Sequence, residues 1–145
     1  VTGLLFEFFY YRLPSNKLRV FFTKLRGVKV GKNVYLGREI IFDRVFPNLI
    51  QIGNDSSIGD RCIISAHAHA TIPNEKNKWE LFKKVEKVII GENVWIMPRV
   101  TITPGVKIGN NTVVSTGSIV DRDIESGSIV TYPKSQVKKL PKSFN

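Results

Sequence analysis

The sequence predicts an all-β fold, a parallel β-helix built from hexapeptide repeats. An aliphatic residue recurs every six positions, a small or branched residue usually stands four positions after it, and glycine often follows it directly. Repetition at a short fixed period is typical of solenoids, and hexapeptide units are the sequence form of a parallel β-helix. The aliphatic residues are Val30, Leu36, Ile52, Ile58, Ile90, Ile96, Ile102, Ile108, Val114 and Val120.

Such a coil has three flat faces, with one hexad on each face and the aliphatic residue pointing to the axis. We expect the glycines to lie at the corners, where a side chain or a negative φ would obstruct the turn. A β-sandwich would instead show period-two alternation and turn signals at longer spacing. These glycines are Gly31, Gly37, Gly53, Gly59, Gly91 and Gly109.

Residues 1–29 precede the repeat and are rich in apolar and aromatic side chains. Charged residues and Pro14 interrupt the stretch from Leu4 to Leu25 too often for a spanning helix, which needs about 18 uncharged residues. We expect two short helices, broken near Pro14, that cap the open end of the solenoid. The alternative is an interfacial anchor, a peripheral membrane contact in which the basic residues of this segment meet lipid headgroups.

The β-helix is expected over residues 30–125, with two interruptions. Asp43 to Gln51 break the register once, and an insertion at about 66–88 leaves the coil near His67 and returns near Val88. Long excursions from a regular scaffold are commonly functional loops. Residues 126–145 are expected to form a basic C-terminal tail.

Composition narrows the function classes. The chain has 145 residues, enough for one domain, and a net charge of +10. The basic residues are dispersed and accompany no nucleic-acid-binding motif, so we expect no nucleic-acid partner. The single cysteine, Cys62, stands at an inward hexad position and is expected to be a core residue. One cysteine and no secretory signal pattern suit a cytoplasmic protein.

The two histidines of the chain, His67 and His69, stand where the repeat gives way to the insertion. Histidine is the commonest general base, and the end of a rigid strand positions it well. Surface histidines without a role are the plain alternative. Zinc ligation by His-x-His is another, but the third histidine of a zinc set is absent from the sequence, so we expect no metal.

Residues 30–139 resemble the hexapeptide-repeat acyltransferases, which are left-handed parallel β-helices. Within that family they are similar to sugar O-acetyltransferases of the maltose and galactoside type and of polysaccharide clusters. The segments that carry the resemblance are ISAHAH at 64–69, IGENVWIMPRVTITPGVKIGNNTVVSTGSIVDRDI at 90–124, and the proline-basic tail at 132–139. The resemblance implies transfer of an acetyl group from acetyl-CoA to a hydroxyl of a sugar or glycan intermediate. It also implies a histidine base, no covalent enzyme intermediate, and a homotrimer with active sites between subunits.

The resemblance further assigns roles to single residues. The catalytic position of the family falls on His69, with His67 as second choice, and Trp95 of NVWI matches a residue that lines the active site. The region that holds the sugar through an asparagine in relatives reads GREIIFD here, so Glu39 and Asp43 are the candidate acceptor contacts. The candidate contacts to the pantetheine arm of CoA are Pro98 and Thr116. The candidate contacts to its phosphates are Arg122 and Lys139.

Departures from the family leave alternatives open. Pro98 has no N–H to donate to the pantetheine arm, and Lys134 replaces the usual small residue after the tail proline. The alternatives are N-acetylation of a nucleotide-linked amino sugar, a γ-carbonic-anhydrase-like enzyme, and a non-catalytic β-helix scaffold. The last is suggested by the basic aromatic N-terminus and the altered tail.

Overall fold

The computed structural model describes residues 13–73 and 79–131, and it confirms a left-handed parallel β-helix with three flat sheets. The first sheet contains β1 (Lys29–Val30), β4 (Ile50–Ile52), β9 (Val88–Ile90) and β12 (Lys107–Ile108). The second contains β2 (Tyr35–Leu36), β5 (Ser57–Ile58), β10 (Trp95–Ile96), β13 (Val113–Val114) and β15 (Ile129–Val130). The third contains β3 (Ile41–Phe42), β6 (Ile63–Ile64), β11 (Thr101–Ile102) and β14 (Ile119–Val120).

The hexad residues set the register between successive coils. Val30 pairs with Ile52, Ile52 with Ile90, and Ile90 with Ile108, all in parallel. The third step is the regular one, three hexads long, whereas the first two steps carry extra residues. These extra residues leave the coil at the same corner, between the third sheet and the first, so every sheet keeps its ladder.

The core is a column of side chains from two positions of each hexad: the aliphatic residue and the small or branched residue four positions after it. Ile58, Ile64 and Ile102 have no exposed surface, and Cys62 is equally buried, as predicted. Burial raises the pKa of the Cys62 thiol. The second hexad position is also buried, including the polar Thr112 and Ser118. Since burying one aliphatic side chain contributes about 1.5–3 kcal/mol, this column accounts for most of the driving force for folding.

The corner glycines are required for a different reason than the sequence suggested. None of the six has a positive φ, so the expectation that they escape a negative φ is wrong. A Cβ at Gly53 would collide with the carbonyl of Gly91 on the next coil, so close stacking demands glycine. Side-chain residues adopt the left-handed conformation instead: Asn33, Glu39, Asp55, Arg61, Asn93, Arg99 and Asn111.

The C-terminal end of the β-helix continues past residue 125. Val114 pairs with Val130, and Ile108 forms a bridge with Ile124, so the last coil is two residues shorter than a regular one. The two residues are missing from the corner between the third and first sheets. Because of this shortening, the inward residues after Val120 no longer stand at multiples of six residues from Val120. The segment SGSIV at 126–130 nevertheless closely repeats TGSIV at 116–120.

The N-terminal helix α1 spans Asn16–Leu25 and packs beside β1 and β2. Val20 contacts the core cluster, which partly closes that end of the coil. Of the two short helices predicted, this is the second, and the first falls outside the described residues. Within residues 13–73 and 79–131, no helix is both long and apolar enough to cross a membrane.

The long insertion is an antiparallel hairpin of β7 (His67–Pro73) and β8 (Trp79–Val85). Its first strand begins three residues after the inward Ile64, and its second ends three residues before Val88 restarts the coil. The hairpin therefore starts at the corner, and the residues at its base keep a fixed position relative to the β-helix.

Candidate active site

The candidate site lies at the corner where two excursions of the chain meet. In the first coil a loop with a short 3-10 helix, Pro47–Leu49, follows β3, and in the second coil the hairpin follows β6. Phe42 pairs with Ile64 in the ladder, and the Asp43 N–H donates to the Ile64 carbonyl at 2.9 Å. Asp43 therefore lies directly against the chain that leads to His67.

Asp43 is buried and receives hydrogen bonds on both carboxylate oxygens. Its Oδ1 accepts the backbone N–H groups of Val45 and Phe46 at 2.9 and 2.8 Å. Its Oδ2 accepts those of Ala66 and His67 at 2.8 and 2.9 Å. Burial alone would raise the pKa of Asp43, but the hydrogen bonds from Phe46, His67, Ala66 and Val45 outweigh it and hold the pKa below its usual range. Asp43 is therefore a carboxylate at neutral pH.

The His67 ring is fixed by this carboxylate. Its Nδ1 lies 2.5 Å from Asp43 Oδ2, and since the carboxylate can only accept, we assign the ring proton to Nδ1. The Phe46 ring packs edge-on against the imidazole at 5.6 Å between centroids. No hydrogen bond from a described residue engages the other nitrogen, Nε2. His67 therefore offers a basic nitrogen from an oriented, partly buried ring.

His69 is exposed and stacks on His67, with 5.8 Å between ring centroids and 15° between planes. The two histidines project to the same side of β7 because side chains two residues apart share one face of a strand. His69 has no carboxylate partner among the described residues. The structure thus brings both predicted histidines together but orients only His67.

A cleft of about 300 Å³ opens beside this pair. His67 and Ser65, from the chain that leads out of β6, form one wall, and β3 with the loop after it forms the other. Its lining residues are Ile41, Phe42, Asp43, Arg44, Val45, Ser65 and His67. A small-molecule hydroxyl in this cleft could approach the ring of His67.

The other predicted site residues lie elsewhere on the same chain. Glu39 and Pro98 share a second cleft, of about 390 Å³, at the corner between the second and third sheets. Glu39 pairs there with Arg61 at 2.6 Å. Thr116 follows one coil later at this corner, where the N–H of Gly117 donates to the carbonyl of Pro98.

The structure does not join Trp95 or Arg122 to either cleft. Trp95 projects outward from the second sheet, and Arg122 pairs with Asp121 on an exposed turn. Lys139 lies outside the described residues. Within one copy of the chain, Asp43 and His67 thus share one cleft while Glu39 and Pro98 share another, and the assigned roles stay predictions.

The Asp43–His67 contact went unrecognised in the sequence. Its signal was available, since Asp43 directly follows an inward residue and each excursion begins after the same face of the coil. Among the described residues, no group of three or more His, Cys, Asp or Glu side chains is arranged to hold a metal ion.

Comparison with known proteins gives a consistent result. The family model "Bacterial transferase hexapeptide (six repeats)" matches residues 87–122. The chain is 33% identical over 113 residues to a galactoside O-acetyltransferase of Lactococcus lactis, covering 75% of this chain and 54% of the relative. It is 37% identical over 98 residues to the Escherichia coli galactoside O-acetyltransferase, covering 65% and 47%. The chain spans about half the length of these curated relatives.

Solved structures show the same fold. A galactoside acetyltransferase in complex with coenzyme A superposes with a TM-score of 0.60 at 27% identity, covering 88% of this chain and 72% of that one. A maltose O-acetyltransferase from Clostridium difficile superposes with a TM-score of 0.64 at 22% identity, covering 97% and 84%.

Proposed function

We propose that this chain, a left-handed β-helix of the hexapeptide-repeat type that is similar to galactoside O-acetyltransferases over much of its length, transfers an acetyl group from acetyl-CoA to a sugar hydroxyl. The similarity to acetyltransferases supports the reaction class. The acceptor class, a sugar or glycan intermediate, rests on the names of those relatives and on the polar cleft that contains Glu39.

The observation that carries the proposal is the Asp43–His67 pair. Nε2 of His67 takes the proton of the acceptor hydroxyl while the oxygen attacks the thioester carbonyl. The carbon–sulfur bond then breaks, the acetyl group stays on the acceptor oxygen, and the CoA sulfur leaves with the proton returned by His67. Asp43 stabilises the imidazolium that forms between these steps, as a buried carboxylate does in other His-dependent enzymes.

Asp43 therefore receives a different role from the acceptor contact that the family resemblance implied. Its side chain is fully buried and both oxygens already accept hydrogen bonds. A substrate hydroxyl would have to displace backbone donors to reach it. We propose that Asp43 is a positioning residue and that Glu39, which is exposed, is the better candidate for acceptor contact.

Two sets of exposed apolar side chains support a homotrimer. Tyr35, Trp95 and Ile129 project from the second sheet, and Ile63 and Ile119 from the third. Contiguous exposed apolar side chains mark interaction surfaces when the patch is large. We propose that a closed three-fold assembly covers them and brings the Pro98 corner of one copy near the histidine corner of another. Such an arrangement would unite the candidate residues that a single copy keeps apart.

The test is thioester cleavage measured on a glycan and amino-sugar panel with wild type, His67→Gln and His69→Gln. We expect His67→Gln to lower kcat roughly 10²- to 10⁴-fold, the usual contribution of a general base. We expect His69→Gln to change kcat by less than about tenfold, because no carboxylate of the described residues orients His69. Circular dichroism of both variants controls for folding.

The possible results separate the alternatives. A larger loss in His69→Gln would make His69 the base, as the family resemblance implies. Turnover confined to amino sugars would show N-acetylation. Undiminished turnover in both variants would remove histidine catalysis, and absence of CoA binding by calorimetry would favour the scaffold. Stoichiometric zinc in purified protein would favour a metalloenzyme.

A further inference from the structure

The amphipathic pattern of α1 is inverted. Its buried side chains are polar, Arg19 and Thr23, whereas three large apolar side chains face outward. Leu18, Phe21 and Leu25 are 43%, 59% and 67% exposed. Their spacing of three and four residues places them in one stripe along the helix. A helix of a globular protein normally turns such a stripe to the core, whereas this stripe faces away from the part of the fold that residues 13–73 and 79–131 form.

The inverted orientation is fixed by hydrogen bonds to the β-helix. The Arg19 guanidinium donates to the Leu36 carbonyl at 2.7 Å and to the Leu13 carbonyl at 2.8 Å. Asn16 bridges the same strand, donating to the Val34 carbonyl and accepting from the Leu36 N–H. Rotating α1 to bury the stripe would break these bonds and leave the Leu36 N–H and carbonyl without these partners, which is unfavourable. The apolar face is therefore held outward.

The sequence around the stripe is basic, although Glu92 lines the same cleft as Lys24 and Lys29. Lys17 and Lys24 are exposed on α1 next to the stripe, and Lys29 is exposed just after it. Between Phe8 and Arg38 the sequence contains no Asp or Glu. The basic residues of that stretch are Arg12, Lys17, Arg19, Lys24, Arg26, Lys29, Lys32 and Arg38.

We propose that the α1 stripe of Leu18, Phe21 and Leu25 docks on an anionic lipid bilayer, with Lys17 and Lys24 against the lipid phosphates. A fixed helix with apolar residues on its outer face and lysines at the edges fits the boundary between headgroups and acyl chains. The positive charge of these lysines favours an anionic membrane over a neutral membrane, and over a protein partner that has few acidic residues. This binding is independent of the acetyl-transfer chemistry and would hold the clefts next to a membrane surface.

Vesicle co-sedimentation of the full chain tests the proposal. We expect binding to phosphatidylcholine vesicles that contain phosphatidylserine, weak binding to pure phosphatidylcholine, and loss of binding as salt rises. Lys17→Glu with Lys24→Glu should weaken binding at least about 25-fold, since each lysine near the surface contributes roughly fivefold. The triple variant Leu18→Ser, Phe21→Ser, Leu25→Ser should bind at background level. Lys107→Glu, which replaces an exposed lysine far from α1 in sequence, is the matched control for the change of charge.

A second measurement keeps the proposal testable if the triple variant misfolds. A Phe21→Trp variant should be quenched by brominated acyl chains more strongly than wild type, because the new indole enters the bilayer. Three results would overturn the proposal: equal binding of wild type and triple variant, equal binding to neutral and anionic vesicles, or no vesicle binding together with a changed oligomeric state in the triple variant. The last result would show that another copy of the chain covers the stripe.

Discussion

Asp43→Asn is the perturbation that examines the proposed site most directly. The substitution keeps the shape of the side chain but replaces one accepting oxygen with an NH₂ group. Asp43 accepts two hydrogen bonds on Oδ1 and three on Oδ2, all from N–H donors. Whichever way the amide turns, at least two backbone N–H groups face another donor.

The magnitude follows from those orphaned donors. An unsatisfied buried donor costs about 1–3 kcal/mol, so two of them cost about 2–6 kcal/mol of unfolding free energy. For a chain of this size, that lowers the melting temperature by roughly 5–20 °C. The charge that stabilises the His67 imidazolium is also lost, so kcat should fall roughly 10²-fold or more.

The stability that Asp43→Asn loses relative to wild type should be larger at neutral pH than at acid pH. The pKa of Asp43 is lowered in the folded state, so its contribution is present above the unfolded carboxyl pKa of about 3.9 and is lost as pH falls through the folded value. The melting-temperature gap between wild type and Asp43→Asn should therefore be full at pH 7 and close below about pH 4.

The assays are thermal unfolding by circular dichroism across that pH range and thioester cleavage at a temperature where both proteins are folded. Asp121→Asn is the matched control, because Asp121 is exposed and its one ion pair with a described residue is with the adjacent Arg122. We expect its melting temperature to stay within about 2 °C of wild type. An Asp43→Asn protein with wild-type stability and kcat within twofold of wild type would refute the role assigned to Asp43.

Two further predictions concern the scaffold, and thermal unfolding checks both. Gly53→Ala should destabilise the fold by more than about 2 kcal/mol because its methyl would meet the backbone of Gly91, whereas Gly117→Ala, with open space around it, should cost only about 1 kcal/mol for its positive φ. Ile102→Ala should cost about 2–5 kcal/mol as a cavity in the core, while Ile119→Ala, on the outer face of the same sheet, should cost less than about 0.5 kcal/mol in the isolated chain. Equal costs within either pair would contradict the packing described.

The scaffold was predictable from the sequence because each coil repeats the same physical requirement. Ile90, Ile96 and Ile102 stand at a spacing that only a three-faced coil satisfies, and all three are buried. The 16-residue final coil was not predictable by counting, since the corner after Val120 is short and breaks the period.

The site was only partly predictable. The histidines were found because the repeat stops beside them, but their unequal environments depend on contacts between coils. Asp43 and His67 are 24 residues apart, and their contact requires both excursions to leave the same corner. The inverted face of α1 was equally hidden, since the sequence shows an amphipathic helix but not which side Arg19 anchors.

The corner that holds both excursions acts as a seam along the β-helix. At this corner one coil has four extra residues, the next has twenty, and the last has two fewer than a regular coil. The strand pairing in the three sheets keeps its register throughout. Length can therefore change at the seam without any change to the core. Segments of different length and composition could be exchanged at this seam to alter what the cleft accepts, while the Asp43–His67 pair beneath them stays in place.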